Sequence, residues 1–153
     1  MWTRVAGLSG SVTVESVSSR PAEMHVGPVI AVTDLERARR FYEDLLGLQG
    51  RKTPGGWALE ADRGTVIYLL ADIESAGTAD WPVASFRVGH LRPVVTALRG
   101  RGVPFLGAEE LPFTLDADGI STTEGMQVAW LRDPDGSMLT LFSLTGGDEH
   151  PET

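Results

Sequence analysis

Three of the four tryptophans, Trp57, Trp81 and Trp130, stand on or beside short apolar segments. An indole offers a large flat face and one N–H donor, the equipment for stacking on an aromatic ligand, although tryptophans also plug cores in small proteins. Arg87 lies within an apolar run and would be costly to bury alone, so it reaches solvent, pairs with a carboxylate or receives an anionic ligand. Glu124 and Gln127 border the last hairpin, and Phe113 lies in the polar excursion before it. That excursion, residues 111–125, is long enough to act as a lid, with an ordinary solvated loop as the alternative. General acid–base chemistry would fall to His25, Tyr68 or Glu124, whose separations a sequence does not fix. There is no Gly-x-Ser-x-Gly elbow, no phosphate-cradling loop and no dinucleotide fingerprint, and Gly100-Arg101-Gly102 reads as a turn. With no cysteine there is neither a thiolate nucleophile nor a disulfide.

The elements that must position these residues form a repeat. Residues 25–32 are β-branched and apolar, and Thr33-Asp34-Leu35-Glu36 gives a capping-box pattern that opens a helix. Leu35, Ala38, Phe41, Tyr42, Leu45 and Leu46 recur at helical spacing until Gly47 supplies a left-handed stop. Strands are expected at 49–53, 57–61 and 65–70, separated by Gly-rich turns. The order then recurs: a strand at 83–88, a helix at 91–99 with Pro93 in its first turn, a strand at 103–105, the polar excursion, and a hairpin of 126–132 with 137–144 across Asp133-Pro134-Asp135-Gly136. Val32-Thr33-Asp34-Leu35 aligns with Val88-Gly89-His90-Leu91, and residues 64–70 align with 136–142. The reading is an α+β domain at 24–145, with modules of about 24–72 and 80–145. Residues 1–23 are expected to be a flexible extension with a loose edge-strand pattern at 12–17, and 146–153 a polar tail. Two such modules pair into a curved, cavity-forming mixed sheet.

Composition narrows the partners. The 153 residues suit one domain, and 42% hydrophobic with 22% charged is globular usage. A formal net charge of −8 argues against nucleic acid and anionic membrane, which require a basic face. No apolar run approaches a membrane span, and the N-terminal residues lack the core of a secretion signal, so a cytoplasmic location is expected.

The segment VIAVTDLERARRFYEDLLGL resembles the first strand and helix of the vicinal oxygen chelate superfamily, which includes glyoxalases, bleomycin-resistance proteins and dioxygenases. VAWLRDPDGSMLTLFSL resembles its closing hairpin, and ASFRVGHL and LRGRGVPF extend the resemblance over residues 24–145. It implies two βαβββ modules and, in metal-dependent members, four inward-facing His, Gln or Glu ligands. Those positions fall here on Gly27, Tyr68, Val83 and Thr140, which offer at most a phenol and a hydroxyl, so no metal and no other cofactor is expected. His25 shares the strand parity of Gly27 and is the one candidate for a displaced ligand. His90 begins a helix and His150 lies in the tail. By parity with the same positions Val29, Ala31, Val66, Tyr68, Ser85, Arg87, Met138, Thr140 and Phe142 face the cavity.

The ligand-contacting set is therefore Trp57, Tyr68, Trp81, Ser85, Arg87, Phe113, Gln127, Trp130 and Thr140. The leading reading is a metal-free protein, similar to bleomycin-resistance proteins, that sequesters a small aromatic or antibiotic-like molecule; the resemblance also implies a homodimer. The alternatives are a glyoxalase, lyase or dioxygenase-type enzyme with non-standard ligands or metal-free acid–base catalysis, and a partner-binding module.

Overall fold

The computed structural model describes residues 21–145, and within them each half of the chain folds as a strand, a helix and three further strands. In the first half β1 (Val29–Ala31) leads into α1 (Leu35–Arg39), which continues as a π-helical turn over Arg40–Leu45. Then come β2 (Gln49–Thr53), β3 (Gly56–Glu60) and β4 (Val66–Leu70). In the second half β5 (Pro82–Arg87) and α2 (Leu91–Gly100) precede β6 (Ser121–Thr123), β7 (Met126–Arg132) and β8 (Met138–Leu144). The two four-stranded sheets have the orders β1-β4-β3-β2 and β5-β8-β7-β6, and the first strand of each lies parallel to the last. The duplication extends to single hydrogen bonds. Val32 N–H donates to Leu70 O at 2.9 Å and Val88 N–H to Phe142 O at 2.8 Å, and these are residues that the internal alignment equates.

Alternation assigns one face of each sheet to the core. Ile30, Leu59, Ile67 and Leu69 pack with Phe41 and Tyr42, while Ala129, Leu131, Leu139 and Leu141 pack with Leu91, Val95 and Leu98 of α2; all belong to one buried cluster. The π-helical turn lets the neighbours Phe41 and Tyr42 both enter it, edge to face at 5.0 Å.

Four local expectations change. β1 has three residues rather than eight, so residues 25–28 lead up to the sheet instead of extending it. Asp34, not Thr33, caps α1 by accepting from Arg37 N–H at 3.1 Å, because the Thr33 hydroxyl is committed elsewhere. The strand foreseen at 103–105 is a single bridge between Phe105 and Leu131, and the edge position is taken by β6, inside the stretch read as polar excursion. Thr122 and Thr123 carry the branched propensity for a strand, but with Ser121 they show no apolar alternation. The segment at 12–17 lies outside the described residues.

The Asp133–Gly136 turn does more than close its hairpin. Asp135 accepts from Thr33 N–H (3.1 Å), the Thr33 hydroxyl (2.6 Å) and the Arg37 guanidinium (3.0 Å), bridging to the entrance of α1. Asp133, 4% exposed, accepts from the Tyr42 hydroxyl at 2.7 Å and from the backbone N–H groups of Asp135 and Ser137. Arg101 adds a bond from beyond α2 to the carbonyl of Leu45 at 2.7 Å. The two modules are thus joined by a polar clasp.

Candidate functional site

The positions that the family resemblance equates with metal ligands do not suit a metal here. A Cβ on Gly27 would lie 2.1 Å from the Val66 carbonyl oxygen, so the backbone of β4 fills the space a ligand side chain would need. Val83 sits at a register shift in β5 and packs against the core, which corrects the expectation that it faces inward. His25 lies ahead of β1 with an exposed imidazole 3.7 Å from Glu23, so it does not take over from Gly27. Among the described residues no three His, Asp or Glu side chains converge as ligands would. Gly27→Ala is expected to cost about 1–3 kcal/mol of stability through overpacking. Urea unfolding checks this; an unchanged midpoint would mean that the position is open to a side chain after all.

The face of the second sheet turned away from α2 has a definite composition. Ser85 pairs with Thr140 and Thr140 with Trp130, so the three lie in one row across β5, β8 and β7. The Ser85 and Thr140 hydroxyls share a hydrogen bond at 2.5 Å. The next row runs Arg87, Phe142, Val128 and Ser121. Trp130 is buried yet lies outside the main core cluster. Its cover is Phe113, whose ring stacks on the indole with centroids 5.0 Å apart and planes 12° from parallel. On the first sheet the matching face presents Val29, Tyr68 and Leu70, with Tyr68 40% exposed. A groove of about 1310 Å³ runs between the modules, with Val26, Pro28 and Val66 on one side and Ser85, Arg87 and Phe142 on the other. It reaches the second-sheet face at its Ser85 and Arg87 edge; Trp130, Phe113 and Tyr68 do not line it.

The expected set therefore divides. Ser85, Thr140, Trp130, Phe113 and Arg87 come together on the second sheet, and Tyr68 stands on the corresponding face of the first. Trp57 does not join them: it pairs with Leu69 on the helix side, donates from Nε1 to Glu43 Oε2 at 2.8 Å and lies under the Arg39 guanidinium at 3.9 Å. The same Arg39, bonded to Glu43 at 2.9 Å, holds that carboxylate below the usual range. Gly50 makes the cluster possible, since its Cβ would lie 2.1 Å from Glu43 Oε2. Gln127 pairs with Ser143 and Thr122, on the parity of Ala129 and Leu131, and so also faces the helix side. Trp81 precedes β5 and is exposed, as is Glu124 in the β6–β7 turn. Sequence reading did not single out Glu60, Asp62 and Arg63, which also line the groove; Glu60 ends β3, and Asp62 and Arg63 sit in the tight turn after it, which looked like a simple connector.

No family model and no curated relative matches the chain. Solved structures do. A glyoxalase/bleomycin resistance protein from Catenulispora acidiphila superposes with a TM-score of 0.60 and 21% identity, covering 80% of this chain and 100% of that one. TnmS3, an antibiotic binding protein from a Streptomyces species, gives 0.55 and 18%, over 81% and 99% of the two chains. The oxidase ChaP-H2 gives 0.58 and 17%, over 82% and 98%. The chain has the vicinal oxygen chelate fold. The neighbours include a binding protein and an oxidase, so it is the fold that these similarities carry. Among the described residues no helix is long and apolar enough to cross a membrane.

Proposed function

We propose that the chain binds a small, largely aromatic molecule on the inner face of the second sheet and releases it unchanged, as a sequestering protein of the bleomycin-resistance kind. The observation that carries this reading is the row Ser85, Thr140, Trp130, in which a hydroxyl pair adjoins a shielded indole. Apolar surface with a few convergent polar groups is the usual make-up of a small-molecule site. The closed position at Gly27 supports binding over metal-dependent turnover. The antibiotic binding neighbour agrees with it. A homodimer, in which a second copy covers Tyr68, Val29 and Leu70, belongs to the same reading, and light scattering on the eluting protein tests it.

Titration with planar cationic, neutral and anionic aromatics, followed by calorimetry and by chromatography of the recovered ligand, tests the function. A saturable complex with intact ligand is expected, and Trp130→Ala should weaken it on the order of ten-fold or more, as for other buried aromatic anchors. Chemical conversion of the ligand would sink the sequestering reading in favour of an enzyme, and so would stoichiometric retention of added Ni²⁺, Mn²⁺, Fe²⁺ or Zn²⁺.

A further inference from the structure

The chain leaves the edge of β7 at Leu106, whose N–H donates to the Trp130 carbonyl at 2.9 Å, and returns to that edge at β6. Both ends of the excursion are fixed. At the entrance Gly107 N–H donates to Glu110 Oε2 at 3.1 Å and Glu110 N–H to the Gly107 carbonyl at 3.0 Å. At the exit Asp116 Oδ1 accepts from the N–H groups of Asp118 and Ile120, while Arg92 of α2 grips the Asp116 and Asp118 carboxylates. Arg99 adds a bond to the Asp118 carbonyl at 2.9 Å. Between these anchors residues 112–115 form no hydrogen bond among the described residues. The stack of Phe113 on Trp130 is what lays this strap on the sheet.

The burial of the two rings is unequal. Trp130 is 7% exposed, whereas Phe113 keeps 48% of its surface in solvent. Phe113 gains little from its own burial and serves chiefly as a cover, laid flat on an indole that borders the Ser85 and Thr140 hydroxyls. Any flat π-face of similar size satisfies the same geometry.

We propose that Phe113 occupies, in the unliganded chain, the place over Trp130 that a planar aromatic ring of the ligand takes, with residues 112–115 swinging off between their two anchors to admit it. The inference rests on the reading of the second-sheet face as the binding platform and adds the ligand's chemistry: a flat aromatic ring that competes with a benzyl side chain. The exchange breaks no hydrogen bond of residues 112–115, so opening belongs to the low-cost end of local fluctuations. The incoming ring restores the stack that the strap gives up.

The test titrates proflavine, a flat tricyclic dye, into wild type, Phe113→Ala, Phe113→Leu and Trp130→Leu, in enough salt to screen the chain's formal charge of −8. Fluorine NMR of 5-fluorotryptophan protein runs beside it. Removing the competing ring is expected to tighten binding roughly three- to ten-fold in Phe113→Ala, the range an aromatic pair supports. Phe113→Leu, which keeps an apolar cover without a π-face, should fall between, and Trp130→Leu should lose the dye. The Trp130 resonance should move in Phe113→Ala before any dye is added. Wild-type binding with no gain in either Phe113 variant would overturn the exchange and leave the platform reading intact, because Phe113 would then be cover and nothing more. Absence of binding in all four proteins would remove both. If Phe113→Ala fails to fold, Phe113→Leu against wild type decides the same question.

Discussion

Asp133→Ala is expected to lower the free energy of unfolding by about 3–5 kcal/mol, because a buried donor left without an acceptor costs about 1–3 kcal/mol and this carboxylate serves three of them. The Tyr42 hydroxyl and the N–H groups of Asp135 and Ser137 all end on it, and Tyr42 is fully buried. Urea unfolding followed by circular dichroism measures the loss; a change below about 1 kcal/mol would mean that water reaches the site and satisfies the donors. The charge itself is held at a cost. Burial is the largest influence and pushes the Asp133 carboxyl above its ordinary value of 3.8, against the lowering pull of the Tyr42 hydroxyl and the two backbone donors. Among the described residues no cation pairs with it. A folded-state value raised above the unfolded one gives stability that is complete below the unfolded value and is lost as pH rises through the raised one. Asp133→Asn, which keeps one acceptor oxygen and cannot ionise, should therefore gain on wild type as pH rises from about 4 toward neutrality. A parallel pH profile for the two proteins would show that the carboxyl titrates normally.

Gly77→Ala should do comparable damage from the other side of the same turn. Gly77 has φ +78°, and a Cβ there would sit 1.9 Å from the Asp135 carbonyl oxygen. Left-handed backbone costs an alanine about 1–2 kcal/mol, and driving the segment off the turn adds about 1–3 kcal/mol. Gly102 supplies the control. It has φ +89° and nothing within 4 Å of its would-be Cβ, so Gly102→Ala should show the backbone cost alone. Thermal unfolding of the two variants side by side separates contact from conformation. Equal shifts would mean that the approach of Gly77 to Asp135 contributes nothing.

The repeat was legible because it rests on local signals: apolar alternation in β3, β4, β7 and β8, helical spacing over 35–46, and turn residues between them. The inner face was legible for Ser85 and Thr140 because parity along a regular strand is a local property, whereas Trp130 attracted notice only by its indole. Parity failed where the strand was not regular, as at the Val83 bulge. It was not used for Trp57, whose indole attracted notice by its chemistry; Leu69, its cross-strand partner, assigns it to the helix side. His25 misled for a related reason, since the sheet begins only at Val29. β6 escaped notice because its residues are polar and a strand that only extends an edge needs no apolar face. The clasp was the hardest feature to foresee. Asp133 and Asp135 read as ordinary turn residues, and nothing near them in the chain marks Thr33, Arg37 or Tyr42 as their partners.

Those partners are far apart along the chain: Thr33 and Asp135 by 102 positions, and Tyr42 and Asp133 by 91. The entrance of α1 is thus fastened by a turn 102 positions further along the chain. Until that turn is in place, the Tyr42 hydroxyl lacks the carboxylate it bonds in the finished fold. Contacts with such long loop closures are made late in folding. Asp133→Ala should accordingly speed unfolding while leaving the refolding rate close to that of wild type, so the clasp acts as a latch on the finished protein, setting how long the fold persists more than how fast it is reached.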